Sequence, residues 1–170
     1  ARGLQVESGL GVLYGAARAI TGHPEATSTS YGSDNFTGTV ADWLAAGCTP
    51  LSVLLLGALA LGVWRTRRAT ATSETLAALV ACVLCVLWLS GKVLSPQYFT
   101  WALPVAVVLP WARERVLLLA LLAVSQLYLR VYFDDVLEQT TLGVSTLLLR
   151  QTLLALFAWC CWRRWSAATP

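Results

Sequence analysis

Charge is scarce in this chain: Asp, Glu, Lys and Arg make up 12% of its 170 residues, against the roughly one quarter usual in soluble domains, while 57% are hydrophobic. Mean hydropathy is +0.65. A surplus of apolar surface on this scale excludes a domain bathed only in water, and it calls for lipid. Histidine occurs once. His23 stands beside Pro24 without Cys or carboxylate neighbours at ligand spacing, which argues against a zinc site and a Ser-His-Asp triad. Lysine also occurs once, at Lys92, and the other eleven basic residues are Arg in short separate clusters. They form no basic stripe interleaved with aromatics, so nucleic acid is not expected as a partner. Methionine is missing, and the polar stretch 2–8 has no apolar segment ahead of it. The expectation is therefore the C-terminal part of a longer protein. Five Cys (Cys48, Cys82, Cys85, Cys160, Cys161) are an odd count without disulfide-framework spacing. Cys82 and Cys85 have the spacing of a redox pair, but they sit in an apolar run without a flanking strand, and they read as small core residues.

The apolar runs point to an all-α, polytopic transmembrane helical bundle of about five spans, with an external helix and loop at the N-terminus. The spans are residues 43–64, 74–91, 97–111, 115–133 and 141–162. Pro104 and Pro110 predict that the third is bent or broken. Basic residues in short loops stay cytoplasmic, and Arg65, Arg67, Arg68, Arg113, Arg115, Arg163 and Arg164 fall in alternate turns. Glu7, Glu25, Asp34, Asp42, Asp134, Asp135 and Glu138 fall on the other side. This segregation predicts a multi-pass protein of the inner (plasma) membrane. Residues 1–42 lie outside, residues 43–165 form the membrane region, and the tail 166–170 is cytoplasmic. Trp43, Trp64, Trp101, Trp111, Trp162 and Trp165 stand at span ends, where interfacial aromatics belong.

Within the external segment Val6, Leu10, Leu13, Ala17 and Ile20 recur at spacings of four and three, one apolar stripe on a helix that stops at Gly22 and Pro24. The Ser, Thr and Gly of residues 25–40 predict a turn near Tyr31–Phe36 between short extended pieces, lining an external site or simply connecting. Asn35-Phe36-Thr37 has the form of a glycosylation sequon, a pattern common by chance.

Two external clusters carry candidate binding groups. Arg2, Gln5 and Glu7 stand at the mouth of the first helix, and Lys92, Ser95, Gln97 and Tyr98 surround a Ser-Pro break. Arg and Lys supply charge for a phosphate, the amides supply hydrogen bonds for hydroxyls, and Tyr98 supplies a ring to stack on a sugar. The other reading is that Lys92 snorkels, Pro96 opens a helix and Gln97 caps it. Arg150 is a third candidate. It lies twelve residues before Trp162, roughly 18 Å at helical rise, and an Arg at that depth faces protein or water and pairs with another group.

The run Lys92-Val93-Leu94-Ser95-Pro96-Gln97-Tyr98-Phe99-Thr100-Trp101-Ala102-Leu103-Pro104 resembles an element of bacterial integral-membrane glycosyltransferases of the C-type superfamily, glycosyltransferase family 87 and its actinobacterial relatives. Arg2 to Ser8 resembles a second element, with Arg2, Gln5, Glu7 and Ser8 at the matching positions, and Tyr31, Gly32, Ser33 and Asn35 resemble a third in the same order. The resemblance implies transfer of a sugar, often mannose or arabinose, from a polyprenyl-phosphate donor to a glycan or glycolipid acceptor at the outer face, without metal or cofactor. It also implies a catalytic carboxylate in an external loop that would precede this chain, so that the chain contributes part of the donor site and is not active alone. Glu7 then binds and does not catalyse. The competing class is a fragment of a transporter or lipid-carrier flippase, to which broken helices and a buried Arg are equally natural.

Overall fold

The computed structural model describes residues 3–66 and 72–167; Arg2, Arg67 and Arg68 lie outside the described residues. The fold is mostly helical. In chain order the elements are β1 (Leu4–Gln5), α1 (Gly9–Ile20), β2 (Thr27–Ser30), β3 (Ser33–Phe36), α2 (Thr39–Thr66) and α3 (Ser73–Ser90). A 3₁₀ helix over Pro96–Ala102 follows, then α4 (Leu103–Val108), α5 (Ala112–Val131), α6 (Phe133–Leu137) and α7 (Thr141–Ala167). Local chemistry sets these boundaries. Ser8 caps α1 by accepting the Gly11 N–H at 3.1 Å, and Thr72 caps α3 by accepting that of Thr75 at 3.2 Å. Pro96 sits in the first turn of the 3₁₀ helix, where its missing N–H costs nothing.

Of the five expected spans, three are helices long and apolar enough to cross a membrane: Thr39–Arg65, Ser73–Ser90 and Thr141–Ala167. The other two do not reach that length and apolarity, for physical reasons. Helix α5 is 20 residues long but carries Arg113, Glu114, Arg115 and Arg130. The Pro104 segment is broken as its prolines predict, a 3₁₀ helix followed by the 6 residues of α4 and a stop before Pro110.

Two cores hold the elements together. The larger gathers Cys82, Cys85, Phe99, Leu118, Leu121, Leu154 and Phe157 between α3, α5, α7 and the 3₁₀ segment. The smaller gathers Leu4, Val12, Phe36, Ala45, Tyr128, Val136 and Leu147 under the N-terminal elements. All five cysteines are buried and unbridged, as core packing requires.

The N-terminal elements form a cap on the second core. The strands pair antiparallel in the order β1-β3-β2, with Leu4 and Thr27 both opposite Phe36. Tyr31 (φ 53°) and Gly32 (φ 71°) make the two-residue turn between β2 and β3, and positive φ at both positions matches the twist of a tight hairpin. The expected turn thus narrows to two residues, and Ser33–Phe36 becomes a strand. Helix α1 also differs from its sequence pattern. Leu13 and Ile20 are 60% and 86% exposed, and Val6 precedes the helix; the buried face is Gly9, Gly11, Val12, Gly15 and Ala16. Close backbone approach decides this. A Cβ on Gly9 would lie 2.1 Å from the Leu89 carbonyl oxygen, and one on Gly15 would lie 2.9 Å from the Phe36 ring.

Gly9→Ala should therefore lower thermal stability in detergent by several degrees, a cost of about 1–3 kcal/mol from overpacking against backbone that cannot yield. Gly57→Ala, with nothing within 4 Å of its Cβ, should raise or preserve it. Equal melting temperatures for the two variants would contradict the glycine-face docking of α1.

Candidate functional site

At the capped end a cavity of about 190 Å³ opens between β1, the β2–β3 hairpin, the start of the 3₁₀ helix and the α5–α6 corner. Gln5, Glu7, Ser33, Asp34, Ser95 and Gln97 line its polar side, and Pro96, Leu129, Phe133, Val136 and Leu137 its apolar side. Residues about 90 positions apart meet here because Gln5 joins them. Its backbone N–H donates to the Lys92 carbonyl at 3.1 Å, so β1 extends onto the Ser-Pro break. Its side-chain Oε1 accepts the Leu94 N–H at 2.7 Å, and its Nε2 donates to Ser95 Oγ at 3.3 Å and to Glu7 Oε2 at 3.4 Å. The Ser-Pro break exposes backbone N–H groups, and Gln5 satisfies one of them.

The sequence-expected residues separate into lining and support. Glu7, Ser95 and Gln97 line the cavity, as does Gln5, whose amide is spent on holding the break in place. Lys92 is half-buried, presents its carbonyl to Gln5 and stands off the lining; its ammonium has no ion pair among the described residues. Tyr98 also stands off it, its ring 5.1 Å from that of Trp101 and packed on the larger core. Arg150 is fully buried behind the cavity. Its Nη2 donates to the Glu7 carbonyl oxygen, and its guanidinium lies 5.2 Å from the Tyr128 ring and 5.7 Å from the Phe99 ring. Arg2 lies outside the described residues.

Three residues escape a sequence reading. Tyr128 is one aromatic among many apolar neighbours, yet its side chain faces Glu7 and Arg150. Gln151 donates to the same Glu7 carbonyl at 3.2 Å; adjacency to Arg150 was its only signal. Gln139 clamps Glu25, donating to its carbonyl at 2.6 Å and accepting its N–H at 3.0 Å, which ties the hairpin to the turn before α7. Glu25 also receives the Tyr14 hydroxyl at 2.6 Å and pairs with Arg18 at 3.1 Å. Asn35 is spent internally, donating to the Ser33 carbonyl at 2.9 Å and to Ser30 Oγ at 3.1 Å, so the sequon asparagine is buried.

Electrostatically the cavity wall is acidic. Burial pushes the Glu7 carboxyl above the ordinary carboxylate range; Tyr128 and Arg150 oppose the shift, and Asp34 adds to it. Glu7 and Asp34 accept hydrogen bonds, Ser95 and Gln97 can donate them, and an apolar wall faces both. Such a surface suits a polyhydroxylated ring. At about 190 Å³ the space is below the roughly 300 Å³ at which drug-sized pockets begin.

Compared with protein-family models, curated proteins and solved structures, the chain matches none.

The raised Glu7 carboxyl has a sign that can be checked. In the folded protein it binds its proton more tightly than in the unfolded chain, so stability should fall as pH rises from the ordinary carboxyl value through the raised one. Glu7→Gln should flatten that part of a melting-temperature-against-pH curve. An identical slope in the variant would show that Glu7 is not a buried carboxyl.

Proposed function

We propose that this chain forms part of the donor site of a membrane-embedded, polyprenyl-phosphate-sugar-dependent glycosyltransferase of the mannosyl- or arabinosyltransferase type. One observation carries the reading. The three sequence elements that resemble the C-type glycosyltransferases, separated by up to about 90 positions, line a single cavity together: Gln5 and Glu7 from the first, Gly32 and Ser33 from the third, Ser95, Pro96 and Gln97 from the Ser-Pro element. A connector without a site has no need to gather them.

In this reading the cavity takes the sugar. Its carboxylates and amide hydrogen-bond hydroxyl groups, and Phe133 and Leu129 face the less polar side of the ring. Two carboxylates in the wall would repel a phosphate, so the phosphate is held outside it by Lys92, which is anchored to the wall through the Gln5 N–H. Tyr128 and Arg150 position Glu7 and touch no ligand, and a glycan or glycolipid acceptor approaches from the open side.

The proposed topology keeps five crossings of the plasma membrane, with the cavity outside. Two features support α5 as a crossing despite its charges: Glu114 is neutralised by Arg164 at 3.1 Å, and Arg115 donates to the Pro110 carbonyl at 3.3 Å, both at the end remote from the cavity. The broken 3₁₀–α4 segment would cross while packed against α3 and α5, where irregular backbone is tolerated.

Replacing Lys92 by Ala in the active protein should raise KM for a polyprenyl-phosphate sugar about tenfold or more, the loss of one charge-assisted hydrogen bond of roughly 1.5–3 kcal/mol. Gln97→Ala should act in the same direction through the sugar. Unchanged transfer kinetics in both variants, with melting temperatures preserved, would refute the donor site. The topology predicts that Ser28→Cys, in a background lacking the native cysteines, reacts with an impermeant thiol reagent added outside intact cells. Reaction only from the cytoplasmic side would reverse the orientation.

A further inference from the structure

The opposite end of the bundle holds a second site, independent of the donor-site reading. A cavity of about 270 Å³ lies between the start of α5 and the end of α7, lined by Arg113, Glu114, Trp159, Arg163 and Arg164 among others. Its arginines are not equivalent. Arg164 is committed, its Nε 3.1 Å from Glu114 Oε1 and its guanidinium 5.1 Å from the Trp111 ring. Arg113 and Arg163 are exposed and have no ion pair among the described residues. Glu114 is 2% exposed, and its second oxygen, Oε2, has no hydrogen-bond partner among the described residues. A buried carboxylate oxygen without a donor is costly, and it belongs to one of the residues that line the cavity. The site therefore offers two free cations for an anion and one free acceptor for a hydroxyl.

A second, apolar groove of about 500 Å³ runs along α2, α3 and α7 past Leu59, Cys82, Val86, Ala155 and Trp162. Trp159 lines both spaces. Basic cavity and apolar groove thus share one indole ring in their walls, beside helices able to cross a membrane. Head and tail of one amphiphile fit this arrangement.

We propose that this end binds an anionic glycerophospholipid with a hydroxylated headgroup. Arg113 and Arg163 hold the phosphate, Glu114 Oε2 accepts the headgroup hydroxyl, and an acyl chain lies in the groove beyond Trp159. Arg164 keeps Glu114 from repelling the phosphate, leaving three arginines against one carboxylate. Basic pockets between transmembrane helices recognise lipid headgroups by this chemistry.

The test uses the full chain reconstituted in phosphatidylcholine vesicles. Phosphatidylglycerol with brominated chains should quench tryptophan fluorescence at lower mole fraction than brominated phosphatidylcholine. Unlabelled phosphatidylglycerol should reverse the quenching, phosphatidic acid, which lacks the headgroup hydroxyl, should do so less well, and inorganic phosphate should not. Arg113→Gln and Arg163→Gln should each weaken the preference about fivefold, whereas Arg65→Gln, at the exposed end of α2 and outside the cavity, should leave it intact. Equal quenching by the two brominated lipids would overturn the site. An Arg65→Gln loss as large as the others would reduce it to diffuse surface charge. Displacement by inorganic phosphate would make it a free-anion site, and phosphatidic acid as effective as phosphatidylglycerol would remove Glu114 from it.

Discussion

The fold turns on one buried guanidinium. Arg150 is fully enclosed, and moving such an ion out of water costs several kcal/mol unless partners replace its hydration. The partners come from three directions. The Glu7 carbonyl accepts from Nη2, the Glu7 carboxyl supplies opposite charge, and the rings of Phe99 and Tyr128 lie within 6 Å of the cation. Phe99 belongs to the larger core and Tyr128 to the smaller. Arg150 therefore ties α7, on which it sits, to α5, the 3₁₀ segment and the turn between β1 and α1, each of which supplies part of its compensation.

The N-terminal cap answers that requirement from its own side. Its strands are too short to stand alone, and the sheet is stable only because Phe36 and Leu4 enter the smaller core. Gln5 then joins the cap to the Ser-Pro break, where backbone groups would otherwise lack partners. Glycine on α1 lets the helix approach Leu89 and Phe36 closely enough to close the arrangement. The polar groups at the capped end are consequently of two kinds. Gln5, Asn35, Arg150 and Gln151 are consumed in holding the cap, whereas Glu7, Ser95 and Gln97 line the cavity with hydrogen-bonding capacity to spare. The proposed donor site is the part of this polar network left over after folding has used what it needs.

The two ends of the bundle solve their charge problem differently. At the capped end the carboxylates outnumber the cations in the cavity wall, which suits hydroxyl groups; at the other end arginines outnumber carboxylates, which suits phosphate. The proposed donor and lipid sites follow from that asymmetry.

Much of this is legible in the residues themselves. Composition points to lipid, the apolar runs mark α2, α3 and α7 as helices able to cross a membrane, and Pro104 and Pro110 mark the broken segment. These are local properties, set by hydrophobicity and by a missing N–H, and they need no knowledge of neighbours. The partner of Arg150 could not be read this way, because it is a backbone carbonyl 143 positions distant and every residue has one. Nor could the buried face of α1: the apolar stripe through Leu13 and Ile20 was the stronger periodic signal, but backbone approach through Gly9 and Gly15 decided the docking. The division of Gln5 from Gln97, one spent and one free, is likewise tertiary. Sequence determines which side chains can hydrogen-bond, and only the folded chain decides which of them have already done so.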